Sequence, residues 1–153
     1  MSAALASGLQ EGLAALGLSL TQAQVTQLLD YQALIAKWNQ VYNLTAVRDP
    51  QEMLTHHLLD SLAVVLPLRQ KMAGPGALLD VGSGAGLPGV VLAITCPELA
   101  VTCVDTVAKK AAFVQQVAVT LGLPNLKGLH ARVETLSGPV SYTHLRAHET
   151  RED

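Results

Sequence analysis

The stretch from Ala77 to Thr95, ALLDVGSGAGLPGVVLAIT, constrains the fold of this chain more than any other stretch. A short apolar run that contains one acid, Asp80, is followed by closely spaced glycines and then by a second apolar run. This order predicts a strand, a tight turn and a helix. Glycines allow positive φ and a close approach to a ligand, and Pro88 suits a first helical turn, where its missing N–H costs nothing. The stretch therefore has the form of a nucleotide-binding turn.

Two glycine patterns overlap in this turn and predict different cofactors. A G-x-G-x-x-G pattern, Gly84 to Gly89, is typical of dinucleotide sites, but it begins three residues after the apolar run ends. The pattern D-x-G-x-G-x-G, Asp80 to Gly86, begins at the end of the predicted strand itself. A carboxylate at that position favours a cofactor that carries an ammonium and a sulfonium, and it would repel a pyrophosphate.

A second acid, Asp105, ends the next apolar run, VTCVD. Its carboxylate is expected where it can accept hydrogen bonds from both hydroxyls of an adenosine ribose. Together, Asp80 and Asp105 fit S-adenosylmethionine. Two alternatives stay open: an NAD-dependent oxidoreductase, which would share the turn and Asp105, and a plain strand–turn–helix unit in which both acids are capping residues.

Three segments make the interpretation more specific. KWNQVYNLTAVRDPQEMLTHHLLDS, LLDVGSGAGLPG and ARVE resemble the bacterial family of 16S rRNA guanosine N7-methyltransferases, once called the glucose-inhibited division protein B family. The likeness runs from about Leu18 to Leu136. It implies an α/β fold, namely a Rossmann-like class I methyltransferase with a parallel sheet, preceded by a helical N-terminal extension.

The resemblance also implies S-adenosylmethionine as cofactor and a set of residues around it. The glycines and Leu87 would shape the methionine end of the cofactor, and Asp80 would lie near its ammonium. Val133 and Glu134 would lie by its adenine. The set is Asp80, Gly82, Gly84, Gly86, Leu87, Asp105, Val133 and Glu134. N7 of a guanosine already carries an in-plane lone pair, so positioning alone can drive the transfer, and no catalytic residue is predicted.

The implied partner is 16S rRNA or the small ribosomal subunit. A net charge of −2 argues against a protein that binds nucleic acid by overall electrostatic attraction alone, so RNA contacts need a local basic patch. The candidates are Arg48, Lys109, Lys110 and Arg132. For the two lysines, which open a predicted helix, a solvated helix face is the alternative.

Composition limits the other functional classes. Half of the residues are apolar and 14% are charged, which is typical of a globular protein. No apolar run approaches the roughly 20 residues that span a bilayer, and we expect a cytoplasmic protein with no membrane contact. Cys96 and Cys103 lie in apolar stretches, so we expect buried thiols and no metal site. We expect the complete protein to be monomeric.

Helical patterns occupy the chain before the glycine turn. Thr21 with Gln24 forms a capping box for a long helix, and Pro67 is expected to end a later helix. After the turn, strand and helix patterns alternate, which predicts a doubly wound parallel sheet. We therefore divide the chain into a helical extension, residues 1–73, and a partial cofactor-binding domain, residues 74–140.

The sequence pattern changes after Val140. Only three strands can be counted before that residue, so no strand is predicted for the outer edge of the first strand. Residues 141–153, SYTHLRAHETRED, include five charged residues among thirteen and show no apolar period, and we interpret them as a non-native tail outside the fold. An unpaired first strand predicts a marginally stable or aggregation-prone chain. A truncated product without catalytic activity is therefore a further alternative.

Overall fold

The computed structural model describes residues 3–42, 49–71, 75–82, 84–132 and 143–146. In chain order its elements are α1 (Ala3–Leu16), α2 (Gln22–Tyr42), α3 (Pro50–Met53), a π-helical turn (Leu54–Leu58), α4 (Leu59–Leu62), α5 (Val65–Lys71), β1 (Gly76–Val81), α6 (Gly89–Thr95), β2 (Leu99–Asp105), α7 (Ala108–Leu121), β3 (Leu126–His130) and β4 (Thr143–Arg146). The predicted α/β fold with a helical N-terminal segment is confirmed. None of the helices in these ranges is both long enough and apolar enough to cross a membrane.

The strands form one parallel sheet in the order β3-β2-β1-β4. Asp80 of β1 is paired with Cys103 of β2, which is paired with Gly128 of β3, so these residues share one face of the sheet. A Cβ added at Gly89 of α6 would meet both Asp80 and Cys103, and one at Gly128 would meet the carbonyl of Ala111 in α7. Both helices therefore pack on this face.

Strand β4 corrects the expectation that nothing pairs with the outer edge of β1. Residues 143–146 lie parallel to β1, with Thr143 opposite Leu78 and Arg146 opposite Val81. The pairing of strands uses main-chain N–H and C=O groups, so a segment without apolar alternation can occupy an open edge. The expectation is wrong because it was drawn from side-chain periodicity alone.

The N-terminal helices pack on the α/β part rather than apart from it. Helix α2 contacts both α6 and α7, and α1 contacts α2 and α4. Leu28, Val91 and Phe113 belong to one hydrophobic core, which is continuous across residue 73. The capping box of α2 is confirmed, because the Thr21 N–H donates to Gln24 Oε1 at 2.9 Å and the Gln24 N–H donates to Thr21 Oγ1 at 3.1 Å.

Pro67 does not end a helix, contrary to expectation. Helix α4 ends at Leu62, residues 63–64 form a turn, and α5 begins at Val65. Pro67 therefore lies in the first turn of α5, where its missing N–H removes no helical hydrogen bond.

Candidate cofactor-binding site

A cavity of about 340 Å³ lies at the carboxyl ends of β1, β2 and β3. Its lining includes Val81 and Gly82 at the end of β1, Asp105 and Thr106 at the end of β2, and Ala131 and Arg132 after β3. Ligands of open parallel sheets bind at this edge, and small-molecule sites measure roughly 300–1,000 Å³. The cavity therefore has the position and the size of a small-molecule site.

Gly82 forms the wall of the cavity where β1 passes into the turn. Its N–H donates to the Val104 carbonyl at 2.8 Å, which extends the pairing of β1 with β2 by one residue. Its φ is +69°, a conformation that favours glycine, and a Cβ added there would meet nothing within 4 Å. The space beside Gly82 is thus open, and a ligand can reach the backbone of the turn.

Asp105 joins the cavity to the glycine turn. Its Oδ1 accepts the Val107 N–H at 2.8 Å, and its Oδ2 accepts the Gly84 N–H at 3.1 Å. The side chain is 8% exposed and lines the cavity. Each carboxylate oxygen has two lone pairs, so both oxygens retain the capacity to accept one more hydrogen bond. Asp105 therefore orders the turn and can also bind hydroxyl groups of a ligand.

Asp80 lies behind the turn and is fully buried. Its Oδ2 accepts the Gly89 N–H at 2.8 Å, whereas its Oδ1 has no hydrogen-bond partner among the described residues. Burial raises the pKa of Asp80 from its ordinary value of 3.8 to about 8; the hydrogen bond from Gly89 lowers this pKa, and the charge of Asp105 raises it. Asp80 does not line the cavity.

The structure brings only part of the predicted set together at the cavity, namely Gly82, Asp105 and Arg132. The others that it describes surround the turn or open α7 without lining the cavity: Asp80, Gly84, Gly86, Leu87, Lys109 and Lys110. Leu87 is half-buried against the hydrophobic core, and Lys109 is exposed. Val133, Glu134 and Arg48 lie outside the described residues.

Tyr31 of α2 contacts this region, although the sequence patterns did not single it out. Its hydroxyl donates to the carbonyl of Ala85, within the glycine turn, at 2.8 Å, and both residues are buried. One signal was present in the sequence: Tyr31 follows Leu28 by three residues and precedes Ile35 by four, on the apolar face of a predicted helix. A tyrosine on such a face needs a partner for its hydroxyl.

Comparison of the sequence with known proteins shows which family this chain is similar to. A family model described as rRNA small subunit methyltransferase G matches residues 24–150. The chain belongs to this family. The resemblance drawn from the sequence motifs is thereby confirmed, and the glycine turn and the cavity are those of a family member.

Relatives in the rRNA small subunit methyltransferase G family are similar over most of this chain. The protein from Acidovorax sp. (strain JS42) is 69% identical over 148 residues, which cover 91% of this chain and 66% of the relative. The protein from Polaromonas sp. (strain JS666 / ATCC BAA-500) is 70% identical over 134 residues, which cover 84% of this chain and 59% of the relative. Both are named ribosomal RNA small subunit methyltransferase G. The chain thus spans less than two thirds of the length of these relatives.

Proposed function

We propose that this chain binds S-adenosylmethionine in the cavity at the ends of β1, β2 and β3. We further propose that a protein of the relatives' full length uses this site to methylate N7 of a guanosine in 16S rRNA. The observation that carries the proposal is the wall formed by Asp105 and Gly82, where free acceptor capacity adjoins open space. Membership of the methyltransferase family supports it.

The described residues fit the chemistry of this cofactor. Asp105 would accept hydrogen bonds from the ribose hydroxyls, and Gly82 would allow the methionine end to approach the backbone. Asp80 offers a buried oxygen, Oδ1, that has no partner in the described part of the chain and could face an ammonium group. When bound, the cofactor supplies an electrophilic methyl group on a sulfonium. Val133 and Glu134 are proposed to lie by the adenine.

The protein itself would contribute position and exclusion of water. N7 of guanosine is nucleophilic without losing a proton, so the site needs no general base. Arg132 lines the cavity and is exposed, which suits a contact with an RNA phosphate at the entrance. Lys109, Lys110 and Arg48 are proposed as further RNA contacts. An unpaired or splayed guanosine would be the substrate, because N7 must reach the cavity.

The structure disfavours NAD, the first alternative. A dinucleotide pyrophosphate needs free N–H groups at the start of the helix that follows the glycine turn. Here the N–H of Gly89, the first residue of α6, donates to the Asp80 carboxyl group. That N–H is therefore already used within the protein and is not free for a pyrophosphate.

Calorimetric titration of the purified chain with S-adenosylhomocysteine, and separately with NAD, tests the cofactor proposal. We expect saturable binding of S-adenosylhomocysteine and none of NAD, with circular dichroism showing that the sample is folded. Binding of NAD, or a folded sample that does not bind S-adenosylhomocysteine, would contradict the proposal.

Methyl transfer is tested with radiolabelled S-adenosylmethionine and unmodified 16S rRNA, followed by chemical cleavage at N7-methylguanosine. The full-length Acidovorax relative serves as the reference, because this chain spans 66% of its length. We expect the relative to label one guanosine at N7, and label on another base or atom would contradict the proposal. Labelling by the relative but not by this chain would support the alternative of a non-catalytic product.

A further inference from the structure

We propose that Tyr31 is a positioning residue of the cofactor site, and that the N-terminal helical segment acts on cofactor binding through it. Tyr31 does not line the cavity. It acts instead on the main chain of the glycine turn, through the carbonyl of Ala85. The identity of the ligand in this inference rests on the proposed function.

The hydrogen bond from Tyr31 holds the centre of the turn. Ala85 lies between two glycines and is 5% exposed, so its carbonyl has little access to water as a substitute partner. The preceding residue, Gly84, donates its N–H to Asp105 on the cavity wall at 3.1 Å. The carbonyl that Tyr31 holds and the N–H that donates to Asp105 thus belong to adjacent residues of the turn, which is the route by which Tyr31 would act on the cavity wall.

The next residue, Gly86, shows how closely Tyr31 approaches the turn. A Cβ added at Gly86 would lie 3.3 Å from the Tyr31 hydroxyl oxygen and would clash with Val90. Gly86 has φ of +100°, which also disfavours a side chain. The turn thus accepts a hydrogen bond from Tyr31 and donates one to Asp105.

Tyr31 is itself rigidly placed. Its side chain is fully buried, and its ring stacks on Phe113 of α7 with the centroids 6.5 Å apart. Trp38 meets the same Phe113 ring edge-on at 5.3 Å, so the ring of Phe113 lies against two aromatic residues of α2. Burial raises the pKa of Tyr31 well above its ordinary value, which keeps the hydroxyl protonated as the donor that Ala85 requires.

The test compares Tyr31→Phe with Thr95→Val. Each replacement nearly preserves shape and removes one buried hydroxyl group. The Thr95 hydroxyl donates to the Val91 carbonyl at 2.9 Å and contacts Cys96 Sγ at 3.7 Å, at the end of α6 far from the turn. We expect Tyr31→Phe to raise the Kd for S-adenosylhomocysteine about tenfold, or ~1.4 kcal/mol, and Thr95→Val to leave it within about twofold. Phe113→Leu, which keeps the hydroxyl and removes the stacked ring, should raise the Kd about threefold.

Hydrogen exchange of the Gly84–Gly86 amides gives a readout that does not depend on the ligand. We expect faster exchange there in Tyr31→Phe than in Thr95→Val at equal thermal stability. An unchanged Kd in Tyr31→Phe would overturn the inference. If the wild-type chain does not bind S-adenosylhomocysteine, the proposed function fails. The exchange rates then test the role of Tyr31 on their own, and equal rates in Tyr31→Phe and Thr95→Val would overturn that role.

Discussion

Asp80 and Asp105 lie near the ends of adjacent strands, yet their surroundings differ in almost every respect. Asp80 has one N–H donor, no exposed surface and a pKa of about 8. Asp105 has two N–H donors, some exposed surface and a place on the cavity wall. One carboxyl group is fully buried with a raised pKa, and the other lines the cavity.

The difference follows from register along the strands. Asp80 pairs with Cys103, so Asp105 lies two residues further towards the carboxyl edge, or about 6–7 Å at the usual rise of a strand. Asp80 stays under the start of α6, whereas Asp105 reaches the edge where the cavity begins. Two acids near the ends of adjacent strands thus have different surroundings because they lie at different depths below the sheet edge.

The largest expected effect is that of Asp80→Asn on the pH dependence of the free energy of unfolding. The folded pKa of about 8 exceeds the ordinary 3.8, so between those values the folded state binds the extra proton. The free energy of unfolding of the wild type should therefore fall as pH rises from about 4 to 8, by up to about 1.4 kcal/mol per pH unit relative to Asp80→Asn. Urea unfolding across this range measures the difference. The exposed Asp60→Asn should follow the wild type, and a constant difference between wild type and Asp80→Asn would refute the assignment.

Asp105→Ala should abolish most of the cofactor affinity. It removes the acceptors proposed for the ribose and also releases the Gly84 and Val107 N–H groups. Lost hydrogen bonds to a charged group contribute about 1.5–3 kcal/mol, so we expect the Kd for S-adenosylhomocysteine to rise about a hundredfold by calorimetry. Glu98→Gln, at an exposed acid away from the cavity lining, is the matched control. Equal affinities of the two variants would mean that Asp105 does not bind the ligand.

The affinity of the wild-type chain for S-adenosylhomocysteine should itself depend on pH. If the Asp80 carboxyl group faces the ammonium of the ligand, binding favours its ionised form and releases its proton below pH 8. The affinity should then rise between pH 6 and 8, by at most about tenfold per unit, and this rise should be absent in Asp80→Asn. An equal pH profile for both proteins would place Asp80 away from the ammonium.

The smallest expected effect comes from Gly82→Ala compared with Gly122→Ala. Both glycines have φ near +69°, and a Cβ at either would meet nothing within 4 Å, so the backbone strain should be similar, about 1 kcal/mol. Only Gly82 lines the cavity. We expect equal losses of thermal stability, and a rise in the Kd of about tenfold for Gly82→Ala alone. A similar change in Kd for Gly122→Ala would mean that strain, rather than contact with the ligand, sets the affinity.

Local sequence patterns predicted the parts of this fold that depend on local chemistry. The glycine turn, the capping box at Thr21 and the three strands β1, β2 and β3 follow from residue type and spacing. Asp105 was predicted at the cavity because it ends an apolar run, and parallel strands end at one edge of the sheet. Pro67 was placed wrongly because the pattern did not show the break in the helix at residues 63–64.

Features that depend on contacts between residues far apart in the sequence could not be predicted from local patterns. Tyr31 and Ala85 are 54 residues apart, and nothing in either local pattern joins them. The depth of Asp80 depends on how α6 closes over β1, which requires the geometry of the whole turn. The pairing of residues 143–146 with β1 uses main-chain groups, so the pattern of side chains did not indicate it. The non-native origin of residues 141–153 stays a prediction.

Titration of the ¹⁵N-labelled chain with S-adenosylhomocysteine, followed by amide chemical shifts, tests the central claim most directly. The account predicts that the largest shifts fall on residues at the cavity and the turn, namely Gly82, Gly84, Asp105, Thr106, Ala131 and Arg132. Amides of α1, such as Leu9 and Leu13, should not shift. Shifts centred on the N-terminal helices, or a well-dispersed spectrum that the ligand leaves unchanged, would contradict the assignment of this cavity as the cofactor site.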